Sequence, residues 1–441
     1  MNHAFASLGF PPAAAKYEFP MEMFLSGSDL SPIEQNMDSI VDGLTQWQPK
    51  TAKSGSELQK VTVEGEDYQR AVTNMNLLFM RNLWSDGLPI LPATDEGVHW
   101  MLSGTALSPD TIVGNILPRG GIATVKMIAI SLTMAGGRPE YMPLLIAALE
   151  AVLDPLVYHQ HMQTTTGGCY PAVIVNGPIA KQIRLNSGYG CLGPSPIYPA
   201  GGPLGRALRL LLMNVGGALP GKVSMSLYGG PARYTGLFFA EDEEGLPPGW
   251  EPLNVERGFP LGTNTVTVLP CSGTTEVWRG AAQEETEALK TIHNFAGYMK
   301  VPYGGYFGQV YNPDGAPGIV LMGNGAAEGF SKLGWSKRKV KELLWENTKF
   351  PETEWLREML HKWGNTRNLV VKDYVQYPMP IAVAPENIVI VVAGGKQAGH
   401  SYWMQVHGGT FGPATRAVKL PPNWEELLGK AEEDLGALPV P

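Results

Sequence analysis

Residues 156–193 read LVYHQHMQTTTGGCYPAVIVNGPIAKQIRLNSGYGCLG and gather several side chains that could do chemistry. They hold Cys169 and Cys191 of three cysteines, His159 and His161 of eight histidines, and the triplet Thr164, Thr165 and Thr166. Cys169 lies between Gly167-Gly168 and Tyr170-Pro171. Glycines let backbone amides approach a thiol, and a reactive thiolate needs such donors or a nearby cation. Cys169 is therefore a candidate nucleophile. The competing reading is space filling, because free cysteine is among the most buried residue types. His159-x-His161 would place two imidazoles on one face of a strand, and Cys169 would complete a three-ligand set for zinc or copper. The spacing matches no metal signature, so no metal is assigned and ordinary surface or core histidines stand as the alternative.

A second cluster lies far along the chain. His400-Ser401 follow Gly394-Gly395-Lys396-Gln397-Ala398-Gly399, directly after an apolar run. A histidine there could act as acid or base near neutral pH, and the glycine loop could cradle an anion through its N–H groups. His407, on the next strand candidate, is the alternative histidine. Neither GxGxxG nor a Walker motif is present, so no nucleotide is assigned and the cofactor stays open. The acidic knot 241–244 could supply a carboxylate, although charge runs are usually solvated loops. Arg206 and Arg209 sit on an otherwise apolar segment, where they would hold a substrate carboxylate or pair with an acid.

Three short apolar runs end in glycine: Ala172 to Asn176, Gly318 to Met322 before Gly323-Asn324-Gly325, and Asn387 to Val392 before Ala393-Gly394-Gly395. Continuous apolar runs fit strands buried on both faces, as in a parallel sheet between helices. In such sheets ligands gather at the carboxyl ends of the strands. Asn176, Asn324 and the 394–401 loop should then converge on one crevice. Periodicity places helices from Asp67 onward, after Thr94, over 123–135, 139–154, 205–215, 284–298, 336–348 and 352–363, and a short strand over 265–269. The expectation is an α/β fold of mostly parallel buried strands covered by helices, loop-rich, with a ligand crevice at the strand C-terminal ends. A partly ordered extension covers 1–66. The catalytic region covers 67–441, with a subdivision near 270–280.

Composition narrows the function. A net charge of −8 without a basic block argues against nucleic acid. No segment is apolar enough to span a bilayer or to serve as a signal peptide. Three cysteines argue against a disulfide framework and for a reducing cytoplasm. Glycine (53) and proline (37) are spread along the chain and predict many tight turns.

The chain resembles a bacterial family of large subunits whose members accompany small thiol or selenol proteins with a UGSC or CGSC motif. The matching segments are WSDGLPILPAT (84–94), ATVKMIAISLTMAGGRPEYMPLLIAALEAVLDP (123–155), PAVIVNGPIA (171–180), NSGYGCLGP (186–194), GRALRLLLMNVGGALPG (205–221), EPLNVERGF (251–259), GWSKRKVKELLWENT (334–348) and VVAGGKQAGHS (391–401). The resemblance implies a redox or lyase-type enzyme with a cysteine or selenocysteine supplied by a partner. Asp86, Thr165, Thr166, Asn176, Asn186, Ser187, His400 and Ser401 fall in its motifs. Relatives carry a His-Pro pair where this chain has Gly167-Gly168.

Three functions follow as expectations. The first is a thiol-dependent lyase or reductive cleavage at a carbon–heteroatom bond of a small organic molecule. Its catalytic set is Cys169, His400, Ser401 and Asn176, and its binding set is Asp86, Thr165, Thr166, Asn186, Ser187, Arg206, Asn324, Gly394 and Gly395. The second is a hydratase or hydrolase using His400 and a carboxylate without a thiol. The third is a non-catalytic scaffold subunit for a small thiol or selenol partner. A homo- or hetero-oligomer is expected in each case.

Overall fold

A computed structural model of the 441-residue chain describes residues 27–46, 60–229, 232, 236–278, 284–300, 315–354, 357–358, 377–397, 399–406 and 412–437. Most of the expected 1–66 extension, most of the expected 352–363 helix, and His407 lie outside them. Among the described residues no helix is long and apolar enough to cross a membrane.

Two short helices, α1 (Ser31–Gln35) and α2 (Met37–Thr45), precede α3 (Tyr68–Arg81) and α4 (Asp95–Leu102). The α3 and α4 starts follow cap chemistry. The Asp67 carboxylate accepts the N–H of Arg70, and the Thr94 hydroxyl accepts that of Gly97, each filling a donor left open by the first helical turn. An antiparallel hairpin of β1 (Ile112–Ile116) and β2 (Gly121–Thr124) comes next. It delays α5 (Val125–Met134) until Thr124, whose hydroxyl accepts the N–H of Met127. Pro139 opens a single 3₁₀ turn that leads into α6 (Met142–Val152). Then follow α7 (His159–Thr164), β3 (Tyr170–Asn176), α8 (Ile179–Gln182), α9 (Gly201–Asn214), β4 (Leu237–Ala240), α10 (Leu253–Glu256) and the long β5 (Thr265–Trp278). The remaining elements are α11 (Glu285–Met299), β6 (Gly318–Met322), α12 (Asn324–Lys332), α13 (Lys337–Asn347), β7 (Val389–Val392), β8 (His400–Val406), β9 (Ala414–Ala417) and α14 (Trp424–Leu435).

The fold is α/β. Its seven-stranded sheet runs β4-β3-β5-β8-β6-β7, with β9 beside β5. The expectation of mostly parallel strands is corrected here. Only β3–β4 and β6–β7 pair in parallel; every other pairing in this sheet is antiparallel. Burial on both faces makes a strand apolar throughout whichever way its neighbour runs, so the apolar runs located the strands without giving their direction.

β5 carries the architecture. Its first half pairs with β3 and β9, its second half pairs with β8, and the register shifts between Cys271 and Gly273 where the partner changes. That bulge lets the two halves of the sheet turn towards each other. One buried cluster accordingly combines Ala172, Ile174, Phe239 and Leu269 from one half with Ile319, Leu321, Val391 and Met404 from the other. The opposite faces are helix-covered. Val173, Val175, Val266 and Val268 pack with α5, α6 and α9, while Val320, Met322, Ile390 and Trp403 pack with α11, α12 and α13. Successive β3 residues thus enter different cores, as the strand period of two requires. Each such side chain contributes roughly 1.5–3 kcal/mol when fully buried.

The strand order reads the same from either edge once β3, β4 and β5 are exchanged with β6, β7 and β8. With the short helices α7 and α10 set aside, the described elements of each half run helix, strand, helix, helix, strand, strand: α6, β3, α8, α9, β4, β5, then α11, β6, α12, α13, β7, β8. Equivalent bonds recur. The N–H after β4, on Glu241, donates to Val175 at 3.1 Å, and the N–H after β7, on Ala393, donates to Met322 at 3.0 Å.

Candidate functional site

The carboxyl ends of β3, β4, β6 and β7 meet, and the residues there tie the two halves together. Asp242 donates its N–H to the Val392 carbonyl at 2.8 Å, and its carboxylate accepts from Asn324 Nδ2 at 2.8 Å. The Asn324 amide oxygen accepts the N–H of Gly395 at 3.1 Å. Asn186 and Ser187 bridge the same junction: their carbonyls accept the N–H groups of Ala240 and Gly394. Asn176 Nδ2 donates to Glu241 Oε2 at 2.8 Å and to Glu243 Oε1 at 3.0 Å. Asn176, Asn186, Ser187, Asn324, Gly394 and Gly395 are therefore brought together.

The acidic knot does not supply a free carboxylate. Glu241 is buried, and its oxygens accept from Asn176, from the N–H of Leu253 at 2.7 Å and from that of Val392 at 3.3 Å. Lys337 Nζ stands 3.6 Å from Glu241 and 3.4 Å from Glu256, and Lys341 meets Glu256 at 2.9 Å. Burial pushes the Lys341 ammonium below its usual range, against the raising effect of Glu256. A buried carboxylate with this many donors is a structural anion.

The accessible chemistry lies at the start of β8. His400 is 58% exposed, and its Nδ1 stands 2.8 Å from Glu276 Oε1, itself 54% exposed. Glu276 lies two residues before Trp278, the direct cross-strand partner of His400. Side chains at positions paired this way share one face of a sheet, so Glu276, Trp278 and His400 project together. A carboxylate at Nδ1 fixes the ring and its tautomer and leaves Nε2 available to a ligand. Ser401 is buried, and its hydroxyl accepts the N–H of Gly323 at 3.4 Å. Tyr189, 64% exposed, lays its ring over Gly395. A side chain at Gly395 would start 2.9 Å from that ring, and its φ of +93° also favours glycine. Tyr189 beside Gly395 and Trp278 opposite His400 are both exposed aromatic rings.

Other expected site residues stand elsewhere. Cys169 immediately precedes β3 and Asn176 ends it, which separates them by about 20 Å at the rise of a strand. Cys169 is buried in the helix-covered core. His159 and His161 lie on α7, not on a strand, so residues two apart point to nearly opposite sides. His159 Nε2 accepts the N–H of Leu117 at 3.0 Å, and His161 stacks on Tyr158. Thr165 is buried and caps the end of α7, where its hydroxyl accepts the N–H of Gly167; Thr166 is exposed beside it, its carbonyl bonded to Leu227. Among the described residues no three His, Cys, Asp or Glu side chains stand close enough to hold a metal ion.

Asp86 and Arg206 form a two-point ion pair at 2.8 and 2.9 Å, which anchors the 84–92 loop to α9 and uses up both charges. Arg209 is likewise structural, bonded to the Ala218 carbonyl. A cavity of about 230 Å³ lies between α8 and α14, lined by Glu140, Lys181 and Arg184 among others. Three of its charged groups are engaged: Lys181 by Glu244, Arg184 by the Gly436 carbonyl, and Glu140 by Arg138.

Sequence reasoning missed Glu276, Trp278, Tyr189 and Gly323. Glu276 and Trp278 are distant from His400 in sequence, and only the β5–β8 register joins them. Alternation in the second half of β5 was the available signal, and its glycine and threonines masked it. No protein-family model, no curated protein and no solved structure matches this chain.

Proposed function

We propose that this chain is a hydratase- or hydrolase-type enzyme that moves a proton with His400 on a small organic molecule bound against the 394–401 loop. The observation that carries the reading is the His400–Glu276 pair, hydrogen-bonded at 2.8 Å with both side chains about half exposed. Glu276 orients the imidazole and stabilises it when protonated; Nε2 takes or gives the proton. Trp278 and Tyr189 are the walls against which a flat substrate would lie. Asn324, Asn186 and Ser187 hold the loop and make no direct contact with substrate in this reading. The buried cysteines of this chain play no nucleophilic part. The absence of any disulfide among them suits a reducing cytoplasm.

The test uses the full chain alone, in thiol-free buffer, against a panel of small esters, amides, nitriles and unsaturated acids. Turnover should appear and should fall about 10²- to 10⁴-fold in His400→Ala, the usual span for losing a general acid or base. Glu276→Gln should lower kcat less and leave KM nearly unchanged. Full turnover in both variants would sink the assignment. Turnover that needs an added thiol, or a small thiol- or selenol-bearing partner, would favour the cleavage chemistry that the family resemblance implies. Co-purification with such a partner and no turnover under any condition would favour the scaffold reading.

A further inference from the structure

We propose that the dipeptide Gly323-Asn324, at the end of β6, is a clasp that positions His400 by gripping both ends of the loop that carries it. The inference rests on the acid–base reading of His400 and adds the residues that act through it. At the loop's entry, Asn324 bonds Gly395 in both directions. Its N–H donates to the Gly395 carbonyl at 3.1 Å, and its amide oxygen accepts the Gly395 N–H at 3.1 Å. At the loop's exit, the Gly323 N–H donates to Ser401 Oγ. Between these points the loop folds over Gly323 itself. A Cβ on Gly323 would stand 3.1 Å from the His400 carbonyl oxygen, 3.2 Å from that of Gln397 and 3.8 Å from that of Gly395.

The need for glycine here is spatial. Gly323 has φ −62° and ψ 145°, which any L-residue adopts without strain. What excludes a side chain is the loop backbone lying against its α-carbon. Backbone gives way less readily than the tip of a flexible side chain, so an added methyl must lift the segment that ends in His400. The Asn324 side chain is in turn locked from behind by Asp242, at 2.8 Å. The imidazole direction is thus set by a chain of contacts from the junction of the two halves through Asn324 and Gly323 to the start of β8. Gly323 and Asn324 are positioning residues: both are buried, and neither offers a group to a ligand.

The experiment reads the imidazole directly. The full chain is labelled with ¹³C,¹⁵N-histidine, and the His400 signals are assigned by their loss in His400→Gln. In the wild type the ring should hold the tautomer with hydrogen on Nδ1, shared with Glu276. In Gly323→Ala, Gly323→Val and Asn324→Ala the ring should revert to a mixture dominated by hydrogen on Nε2, with Val displacing it more than Ala. Turnover on the substrate found above should fall at least tenfold in Gly323→Val, mainly in kcat. Unchanged His400 signals in folded Gly323→Ala and Asn324→Ala would overturn the clasp. A lost tautomer with undiminished turnover would keep the clasp and remove His400 from the reaction, so failure of this inference and failure of the proposed function give different results.

Discussion

Cys169, Cys191 and Cys271 are 2%, 5% and 0% exposed. A thiolate loses its hydration on burial and needs nearby donors or a cation to recover it. Burial pushes the Cys191 thiol up to about 12, against weak lowering by its own and Leu192's N–H groups, and Cys271 is raised as well. The native chain should therefore react negligibly with a chromogenic disulfide reagent at pH 8 and release three equivalents after denaturation. One fast equivalent in the native state would restore a reactive cysteine. His159 offers a second measurement. Its ring is held neutral: burial lowers its pKa, a backbone hydrogen bond at Asn115 opposes this, and Nε2 accepts from Leu117. The folded pKa lies below the unfolded value of about 6.5. Between the two, the unfolded chain binds the extra proton, so this contribution is fully present above about pH 6.5 and is lost as pH falls. The urea midpoint should drop between pH 7.5 and 5.5, and by less in His159→Gln, which keeps an acceptor but does not titrate. An equal drop in both proteins would assign the slope to other groups.

At the scale of elements, α13 shows how a polar-looking helix is tied to the strand ends. Lys337 and Lys341 lie one turn apart and share the buried Glu241 and the partly buried Glu256. Removing one partner of a buried ionic set leaves a charge without compensation, which typically costs about 3–5 kcal/mol. Lys337→Met should lose stability on that scale by denaturant titration. Adding Glu241→Gln should recover part of the loss, because the stranded anion is then gone. A Lys337→Met variant as stable as the wild type would show that the donors around Glu241 suffice alone. Elements were legible where local chemistry decides them. Asp67, Thr94 and Pro139 marked helix starts that the structure keeps, one of them through a 3₁₀ turn. His159-x-His161 was misread as a strand because its short helix has too few residues to show a period. Most of the β1–β2 hairpin precedes the pattern that looks helical from Ala123 onward, and only its last residues, Ala123 and Thr124, are absorbed into that pattern.

For the whole molecule, the apolar runs ending at Asn176, Met322 and Val392 revealed which strands are buried and that their ends converge. They carried no direction, and so the antiparallel β5–β8 ladder was out of reach. His400 was visible as a histidine after a glycine loop. Glu276 became visible only through tertiary register, because cross-strand neighbours are set by pairing and not by spacing along the chain. The same limit explains why Asp86 and Arg206 read as binding residues: each alone suggests a ligand, and only the fold shows that they satisfy each other.

The strand order that reads alike from both edges also makes the two halves comparable, position by position. In the first half, Asn176 ends its strand opposite Thr265, and both are fully buried. In the second, two residues beyond the Leu321–Tyr402 pair, the matching positions are Gly323 and His400. The frame therefore offers one location twice. One instance is sealed with an amide and a hydroxyl and braces the molecule. The other is stripped to a glycine, and the histidine beside it reaches solvent. Under the acid–base role proposed for His400, likeness of framework and unlikeness of contents amount to a division of labour inside a single chain. Residues placed at the sealed position should alter how firmly the halves hold together, and residues placed at the open one should alter what the protein does.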